Sequence, residues 1–599
     1  MPLLSAIFPA PWWTHLTYIC DAVPPAGVRV LAPLGNAHRV ALSDGAGKFD
    51  GDSAKLKRID AVLDEFPPLS DELMRLIKWF GDMWFVGTGL AMKTILPSKF
   101  FTEEKLPPLK AYAGACDRKF TCENVYSTDT AQRYERYRAI IESAEHALVL
   151  FPETKLAGAF WKSLPASLCD EGVLWPKTSS AQWKMWKKAR IGEIRFIVGS
   201  SAAAFVPLAG LSAIVMDEEN AGAWRTRKHP VFHIRAAVGM RAAFARAHLV
   251  LGGSMPSSKA FMRANLKCEC ENKRTQLIFV SLKDAQTSEF ETLRETLPIS
   301  VPLIRETLSA RQAHKWAFWI LDRKGYASEI ICDECGAAIR CPKCASPMRW
   351  EERSHTLRCT SCGTRAQIPE KCPNCGGVLL SGSRPGLEAL YERARGALTY
   401  IYGRIVLIGS GERETKLPKA SELMLEYPDG ALAIGTRRLL SLCDELDPAV
   451  VGWIDADAET RAPRYDAKAH AFAMVWESMH RGCSAERKVV IQSRWPSRGW
   501  QDALKCGWRV FWQRELAERR EWELPPFEPM LKITLPSGTA QKVTPQLEDS
   551  EIDYWVSDEA PDEIWVRTKR FSKLTEILRP FYEIGAVRKA FPTVLLYLD

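Results

Sequence analysis

The sequence predicts an α/β protein with two doubly wound parallel lobes and a cysteine-rich insertion in the second. The first observation behind this is a series of short apolar runs between about 145 and 495. They are ALVLFP at 147, RFIVGS at 195, LSAIVMDEE at 211 and AHLVLGG at 247, then AFWILDR at 317, RIVLIGS at 404, GALAIGT at 430, VVGWIDAD at 450 and KVVIQS at 488. Each is followed by Gly, Pro, Ser or Asp, as suits strands buried on both faces of a parallel sheet. Ligands of such sheets gather at the carboxyl ends of the strands, where the polar turns VGSS, DEEN, GGSMP, IGTR and DADAE fall. The second observation is a 44-residue window, Cys332 to Cys375, that holds four C-x-x-C pairs: CDEC, CPKC, CTSC and CPNC.

Two thiolates three positions apart grip one ion from a single turn. Four such pairs supply two complete tetrahedral four-thiolate sites, the coordination of structural zinc, so two zinc ions are predicted. Eight ligands for two ions leave no open coordination position. The zincs therefore read as staples for a region too small to form its own core, not as reaction centres. His355, inside this block, reads as a solvated side chain.

The remaining composition sets bounds. A chain of 599 residues, 46% apolar and 26% charged, holds three or more compact domains. The other cysteines (20, 116, 122, 169, 268, 270, 443, 483 and 506) show no repeating spacing, which argues for a reducing cytosol over a disulfide framework. The start, MPLLSAIFPAPWW, has no basic n-region and three early prolines, so no signal peptide is expected. No uninterrupted run of about 18 apolar residues predicts a spanning helix. The net charge of +9 suits a polyanionic partner.

Longer stretches resemble one family, the bacterial primosomal replication-restart helicases known as PriA. FIVGSSAAAFVPLAGLSAIVMDEEN, HPVFHIRAA and LVLGGSMPS resemble its first helicase lobe; LDRKGYASEIICDEC leads into its zinc insertion; AIGTRRLL resembles its second lobe. RELAERREWELPPF resembles the opening of its C-terminal domain. APWWTHLTY, GVRVLAPLG and LKRIDAVLDEFPPLSDELMRLIKWF resemble the small β-rich domain that captures a 3′ DNA end. The resemblance implies two RecA-like helicase lobes and this domain order: 1–104, 3′-end DNA-binding domain; 105–275, first lobe; 276–331, the connection into lobe two; 332–377, zinc insertion; 378–505, the rest of lobe two; 506–599, an α+β C-terminal domain. It also implies the zinc pairing: Cys332, Cys335, Cys372 and Cys375 on one ion, Cys341, Cys344, Cys359 and Cys362 on the other. Spacing agrees, since the inner set is C-x-x-C, fourteen residues, C-x-x-C, a zinc-ribbon interval.

The departures are equally informative. A helicase needs a glycine-rich loop, a Lys and a Ser/Thr to hold phosphates and magnesium. Where the family has that loop this chain reads NVYSTDTAQRYERY, with Thr130 and Ala131 in place of the Lys and hydroxyl, and Asp129 set where polyphosphate would lie. The acidic motif keeps Asp217, Glu218 and Glu219 but has Asn220 for its histidine, and Gly-Ser-Ala-Thr-Pro has become GGSMPS. In lobe two GTRRLLSLCDEL lacks the Lys-Gly pair. MVWESMHRGCSAER lacks the Gln and double Arg that contact triphosphate, leaving Arg481 and Arg487 near but out of register. ATP and Mg²⁺ are therefore not expected as cofactors, and Asp217 and Glu218 read as a remnant. Some 22 residues between Phe101 and Asn124 are too few for the family's winged helix.

Three segments interleave aromatic and basic residues: WKMWKKAR at 183, WRTRKHP at 224 and WVRTKRFSK at 565. Each reads either as a base-stacking, phosphate-neutralising surface or as an ordinary amphipathic face with snorkelling cations. The resemblance points to Tyr18 and Lys57 for the pocket receiving a 3′-terminal nucleotide, with Thr17 replacing an acidic neighbour, and to the C-terminal basic segment as a contact for single-stranded DNA-binding protein. The expectation is a monomeric, cytoplasmic, nucleoid-associated replication-restart protein that binds forked or single-stranded DNA and primosome proteins, has no membrane partner, and has lost its motor. Its rivals are a residual ATP-dependent 3′-to-5′ helicase and a zinc-stabilised scaffold that binds only proteins.

Overall fold

The computed structural model describes residues 1–51, 55–109, 118–264, 275–282, 299–322, 327–332, 334–335, 337–343, 348–351, 356–359, 363–409, 417–461, 464–483, 486–493, 499–557, 560–583 and 590–599. They form two compact units, Met1–Lys267 with Leu516–Asp599, and Cys268–Glu515.

The first unit begins with an antiparallel sheet of β1 (Leu3–Ile7), β2 (Leu16–Ile19), β3 (Arg29–Leu34), β4 (Ala37–Ala46) and β5 (Ala61–Val62), in the order β2-β1-β4-β3-β5. Helices Asp71–Met83 and Gly87–Ile95 follow. Leu73, Leu76, Ile77 and Phe80 recur at helical spacing and are all buried, giving the first helix an apolar stripe. Arg29 is fully buried. It grips both oxygens of Asp64 at 2.7 and 2.8 Å and the carbonyls of Phe100, Thr102 and Glu104, tying the exit of this domain to its sheet. A buried arginine is tolerated because each N–H finds an acceptor.

The parallel sheet that follows contains β6 (Thr121–Tyr126), β7 (Ala147–Leu150), β8 (Gly172–Leu174), β9 (Phe196–Gly199), β10 (Ala213–Met216) and β11 (His248–Gly253), in the order β6-β11-β10-β7-β9-β8. The four expected apolar runs are its central strands, and every residue of β7, β9 and β10 is buried. The edges, TCENVY and GVL, were not anticipated. An edge strand is covered less completely, so its sequence lacks the continuous apolar signal.

In the second unit β12 (Thr275–Ser281) and β13 (Ala317–Ile320) precede the insertion. There β14 (Ala327–Cys332), β15 (Met348–Glu351), β16 (Thr356–Cys359), β17 (Arg365–Ala366) and β18 (Leu380–Pro385) pair antiparallel as β17-β16-β15-β14-β18. The chain returns through β19 (Ile405–Ile408), β20 (Leu432–Gly435), β21 (Val450–Trp453) and β22 (Arg487–Ser493). These complete a second parallel sheet, β12-β22-β21-β13-β20-β19. All five runs expected here are strands; β12 is the addition.

The chain then rejoins the first unit. β23 (Met530–Thr534), β24 (Asp553–Ser557), β25 (Ala560–Arg567) and β26 (Thr593–Tyr597) form an antiparallel sheet, β24-β25-β23-β26. Helices Ala540–Asp549 and Phe571–Leu578 cover one face, joining Leu531, Ile533, Ile564, Val566 and Leu596 to the core shared with the first lobe. The α/β class with two parallel lobes and an α+β C-terminal domain is thus observed. Residues 102–109 and 118–120 form neither helix nor strand, and among the described residues no helix is long and apolar enough to cross a membrane.

Candidate nucleotide-site remnant and cysteine centre

At the carboxyl ends of β6, β10 and β11, the place where a doubly wound lobe holds its ligand, the first lobe is filled by its own side chains. Helix Thr130–Ser143 starts where phosphates would dock. Asp129 caps it, its carboxylate accepting the backbone N–H groups of Ala131 at 2.8 Å and Gln132 at 3.4 Å. A helix N-terminus attracts one anionic group, and here a side chain of the chain itself supplies it.

One turn later Arg133, 5% exposed, reaches the acidic motif. Its guanidinium lies 3.1 Å from Asp217 and 3.1 Å from Glu218 and also donates to the Ser127 carbonyl. Burial disfavours its charge, but Asp217 and then Glu218 outweigh that and raise its pKa above the ordinary arginine value. Tyr137, fully buried, donates its hydroxyl to Asp217 at 2.7 Å. Burial first, and Asp217 second, push that phenol well above its usual range, so it stays a donor. The path is open because residue 252 is glycine: a Cβ there would collide with the Tyr137 hydroxyl. Glu218, left-handed at φ 44°, also accepts the N–H and hydroxyl of Ser254, each at 3.0 Å. Glu219 accepts from Tyr126 at 2.9 Å and from the Ser257 N–H at 2.6 Å.

In a working phosphate site of this kind magnesium sits between a Ser/Thr hydroxyl and the acidic motif's aspartate. Here a guanidinium occupies the cation's place and a carboxylate the anion's, so the residues present do not fit Mg²⁺ and nucleotide. In lobe two, Arg487 is fully buried and donates to the carbonyls of Pro448, Ser478, Arg481 and Gly482 and to Asp447. Arg481 pairs with Asp444 at 2.8 Å and Glu477 at 2.7 Å. Both arginines hold their own lobe together.

The cysteine centre is the most compact cluster of metal-ligand groups among the described residues. The Sγ atoms of Cys332, Cys335, Cys372 and Cys375 all lie within 4.8 Å of one another, Cys332 to Cys375 at 3.6 Å and Cys335 to Cys372 at 3.7 Å. Four thiolates around one zinc at ~2.3 Å bonds stand about 3.8 Å apart, so the set fits a four-thiolate metal. Backbone N–H groups turn toward the sulfurs: Asn374 to Cys372, Gly377 to Cys375 and Lys343 to Cys341, each at 3.4 Å. Such donors favour thiolate, and the Ala337 N–H followed by the Asn374 amide pushes Cys335 down to about 6. Gly376, at φ +76°, makes the reversal after the CPNC pair that a side chain would strain. Cys341 and Cys359, both 3% exposed, belong to the insertion's small core with Met348 and Leu357. Cys344, Cys362 and His355 lie outside the described residues.

The 3′-end candidates are both placed. Tyr18 is buried, its hydroxyl bonded to the Pro33 carbonyl at 2.9 Å, and burial followed by the Asp60 charge pushes it up to about 12. Lys57 is exposed and donates to Gly35 at 3.2 Å, beside the same hairpin. Thr17 donates to the Lys48 carbonyl. Of the aromatic and basic segments, 183–190 is packing: Trp183 and Trp186 are buried and stacked at 4.9 Å, Lys187 pairs with Glu104, and Arg190 donates to the Pro68 carbonyl. Trp224 is buried, its indole N–H on the Glu218 carbonyl. Sequence reasoning missed Arg133 and Tyr137, whose spacing of one turn on the helical face continued by Ile140 and Ile141 was the available signal.

The family model of the PriA 3′ DNA-binding domain matches residues 5–97, from within β1 through both helices that follow the N-terminal sheet. The chain is 22% identical to replication restart protein PriA of Treponema pallidum over 90% of this chain and 88% of that protein. Over most of its length this chain resembles PriA. A second PriA, from Rickettsia typhi, is 23% identical over 82% of this chain and 81% of its own length, whereas the match to PriA of Bacillus subtilis, also 23%, spans 66% of this chain and half of that protein. Among solved structures, RecG bound to a three-way DNA junction aligns at TM-score 0.32 and 13% identity over 66% of this chain and 41% of RecG. The DUF1998 helicase MrfA bound to DNA aligns at TM-score 0.34 and 10% identity over 76% of this chain and 59% of MrfA.

Proposed function

We propose that this chain is a PriA-type replication-restart protein that binds forked and single-stranded DNA, recruits primosome components including single-stranded DNA-binding protein, and carries a helicase-shaped body without a nucleotide-driven motor. The single observation behind the loss of the motor is the Arg133 guanidinium held between Asp217 and Glu218. Displacing it with Mg²⁺ would strip a buried arginine of its counter-charges, a cost of several kcal/mol that nucleotide binding would have to offset. Asp129 adds a like charge against any phosphate approaching the helix. Binding to DNA rests on the match of the 3′ DNA-binding domain and the PriA relatives. We assign two zinc ions, one on Cys332, Cys335, Cys372 and Cys375 and one on Cys341, Cys344, Cys359 and Cys362, as staples of the insertion. We further assign a monomer acting at the nucleoid in the cytoplasm.

The rival, a residual 3′-to-5′ helicase, draws on the survival of Asp217 and Glu218. A DNA-stimulated ATPase assay and a fork-binding titration on one zinc-loaded preparation separate the two. The expected result is fork binding with a steep salt dependence and no turnover. Turnover that vanishes in the Asp217→Ala, Glu218→Ala double variant would overturn the motorless reading, and no preference for forks over duplex would favour a protein-only scaffold.

A further inference from the structure

The C-terminal sheet has one face covered by its helices. The other carries a series of rings. Trp555 on β24 and Trp565 on β25 are direct cross-strand partners, with centroids 5.9 Å apart and planes 6° from parallel. Trp565 continues to Tyr597 on β26 at 5.7 Å and 22°. The guanidinium of Arg225, from the first lobe, lies 4.8 Å from the Tyr597 ring centroid. At the opposite end Trp555 is 41% exposed, so the series begins at an open indole.

Charge is distributed unevenly along this series. Under the rings Lys532 is balanced by Glu563 at 2.7 Å, and alongside them Arg567 by Asp553 at 2.7 Å, which leaves the sheet itself near neutral. Past Tyr597 the cations accumulate: Arg225, Arg235, Lys259 and Arg263. Arg235 among them is paired with the buried carboxylate of Glu219 and with Asp599. Burial, then the two arginines Arg235 and Arg263, push the Lys259 ammonium down to about 8. Open aromatic faces beside cations are what a nucleic acid strand without a complementary partner needs. Its bases offer π-faces whatever their identity, and its phosphates seek the cations. A ladder serving only sheet stability would gain its cross-strand contacts without an exposed terminal indole or a cationic end.

We propose that this face is a stacking platform for single-stranded DNA, one base extending the ring series at Trp555 while the backbone runs toward the cations of the first lobe. It rests on the DNA-binding reading above and adds a second DNA contact, separate from the N-terminal domain. The test uses the full zinc-loaded chain and fluorescein-labelled oligothymidylate followed by anisotropy at several salt concentrations. Trp555→Ala removes one stacked base, which weakens binding roughly 5- to 100-fold. Trp555→Phe restores most of the affinity. The salt slope stays the same, because the phosphate contacts remain. Equal affinity of Trp555→Ala and wild type for the oligonucleotide overturns the platform and is also the outcome if the face serves a protein partner. A wild-type chain that binds neither fork nor single strand refutes the replication-restart reading itself. Substituting 5-bromouracil in the oligonucleotide gives a check that needs no variant: photo-cross-links are expected on the peptide carrying Trp555, and cross-links confined to the N-terminal domain or the lobes overturn the assignment.

Discussion

Replacing Arg133 by Met tests whether the contacts of Asp217 and Glu218 are structural. The substitution keeps the length of the side chain and removes a charge that is 5% exposed and faces two carboxylates at 3.1 Å each. Asp217 would keep only the Tyr137 hydroxyl, at 2.7 Å, as its close donor among these contacts, while Glu218 would keep the Ser254 N–H and hydroxyl. Breaking a buried pair by removing one partner costs about 3–5 kcal/mol, because a buried charge is left uncompensated. The surviving donors place this case near the lower end, ~3 kcal/mol, which at about 2–4 °C per kcal/mol lowers the thermal midpoint by roughly 6–12 °C. Adding Asp217→Asn to Arg133→Met removes the orphaned charge, so the double variant should recover much of the loss, with a coupling of about 1–3 kcal/mol in a double-mutant cycle. Differential scanning fluorimetry and urea titration read these values. The reasoning fails if Arg133→Met is as stable as wild type, or if ATP with Mg²⁺ raises the wild-type midpoint, since nucleotide would then be displacing Arg133.

Two further outcomes follow from other sites. Denaturing the purified chain with a colorimetric chelator present should release two zinc ions, and Cys372→Ser should reduce this to one while leaving the parallel lobes folded; a single ion in wild type would refute the two-centre assignment. At Glu459 burial, with Asp322 second, raises the carboxyl pKa above the ordinary 4.5. A raised folded pKa means that the folded state holds the proton more tightly, so stability is fully present below pH ~4.5 and is lost as pH rises through the folded value. Glu459→Gln should therefore match wild type near pH 4 and exceed it at pH 7, and identical stability profiles across that range would contradict the burial argument.

How much could be read in advance depends on the range of the interaction. Eight of the nine apolar runs became inner strands, which are covered on both faces and so are apolar over consecutive residues, while the ninth, β19, is an edge that kept its apolar run. The edge strands β6, β8 and β12 escaped notice because an edge relaxes that condition. Each C-x-x-C pair was legible as a local chelate, whereas the joining of Cys332 and Cys335 with Cys372 and Cys375 was implied by the family resemblance, and these four do converge. The bland reading of WKMWKKAR prevailed, since the apolar faces of both tryptophans pack inward. In WVRTKRFSK the outward half of the alternation left Trp565 on a ring series.

The sequence by itself determined the α/β class, the two parallel lobes, the four C-x-x-C pairs and the missing glycine-rich phosphate loop, because all of these are statements about residue types at short spacing. Only the tertiary structure decided what stands against the acidic motif. Arg133 and Asp217 are 84 positions apart, and Trp555, Tyr597 and Arg225 lie on different strands and different domains. Whether a charged or aromatic side chain meets water, a counter-charge or another ring is set by which elements the fold brings together, and no local pattern carries that information.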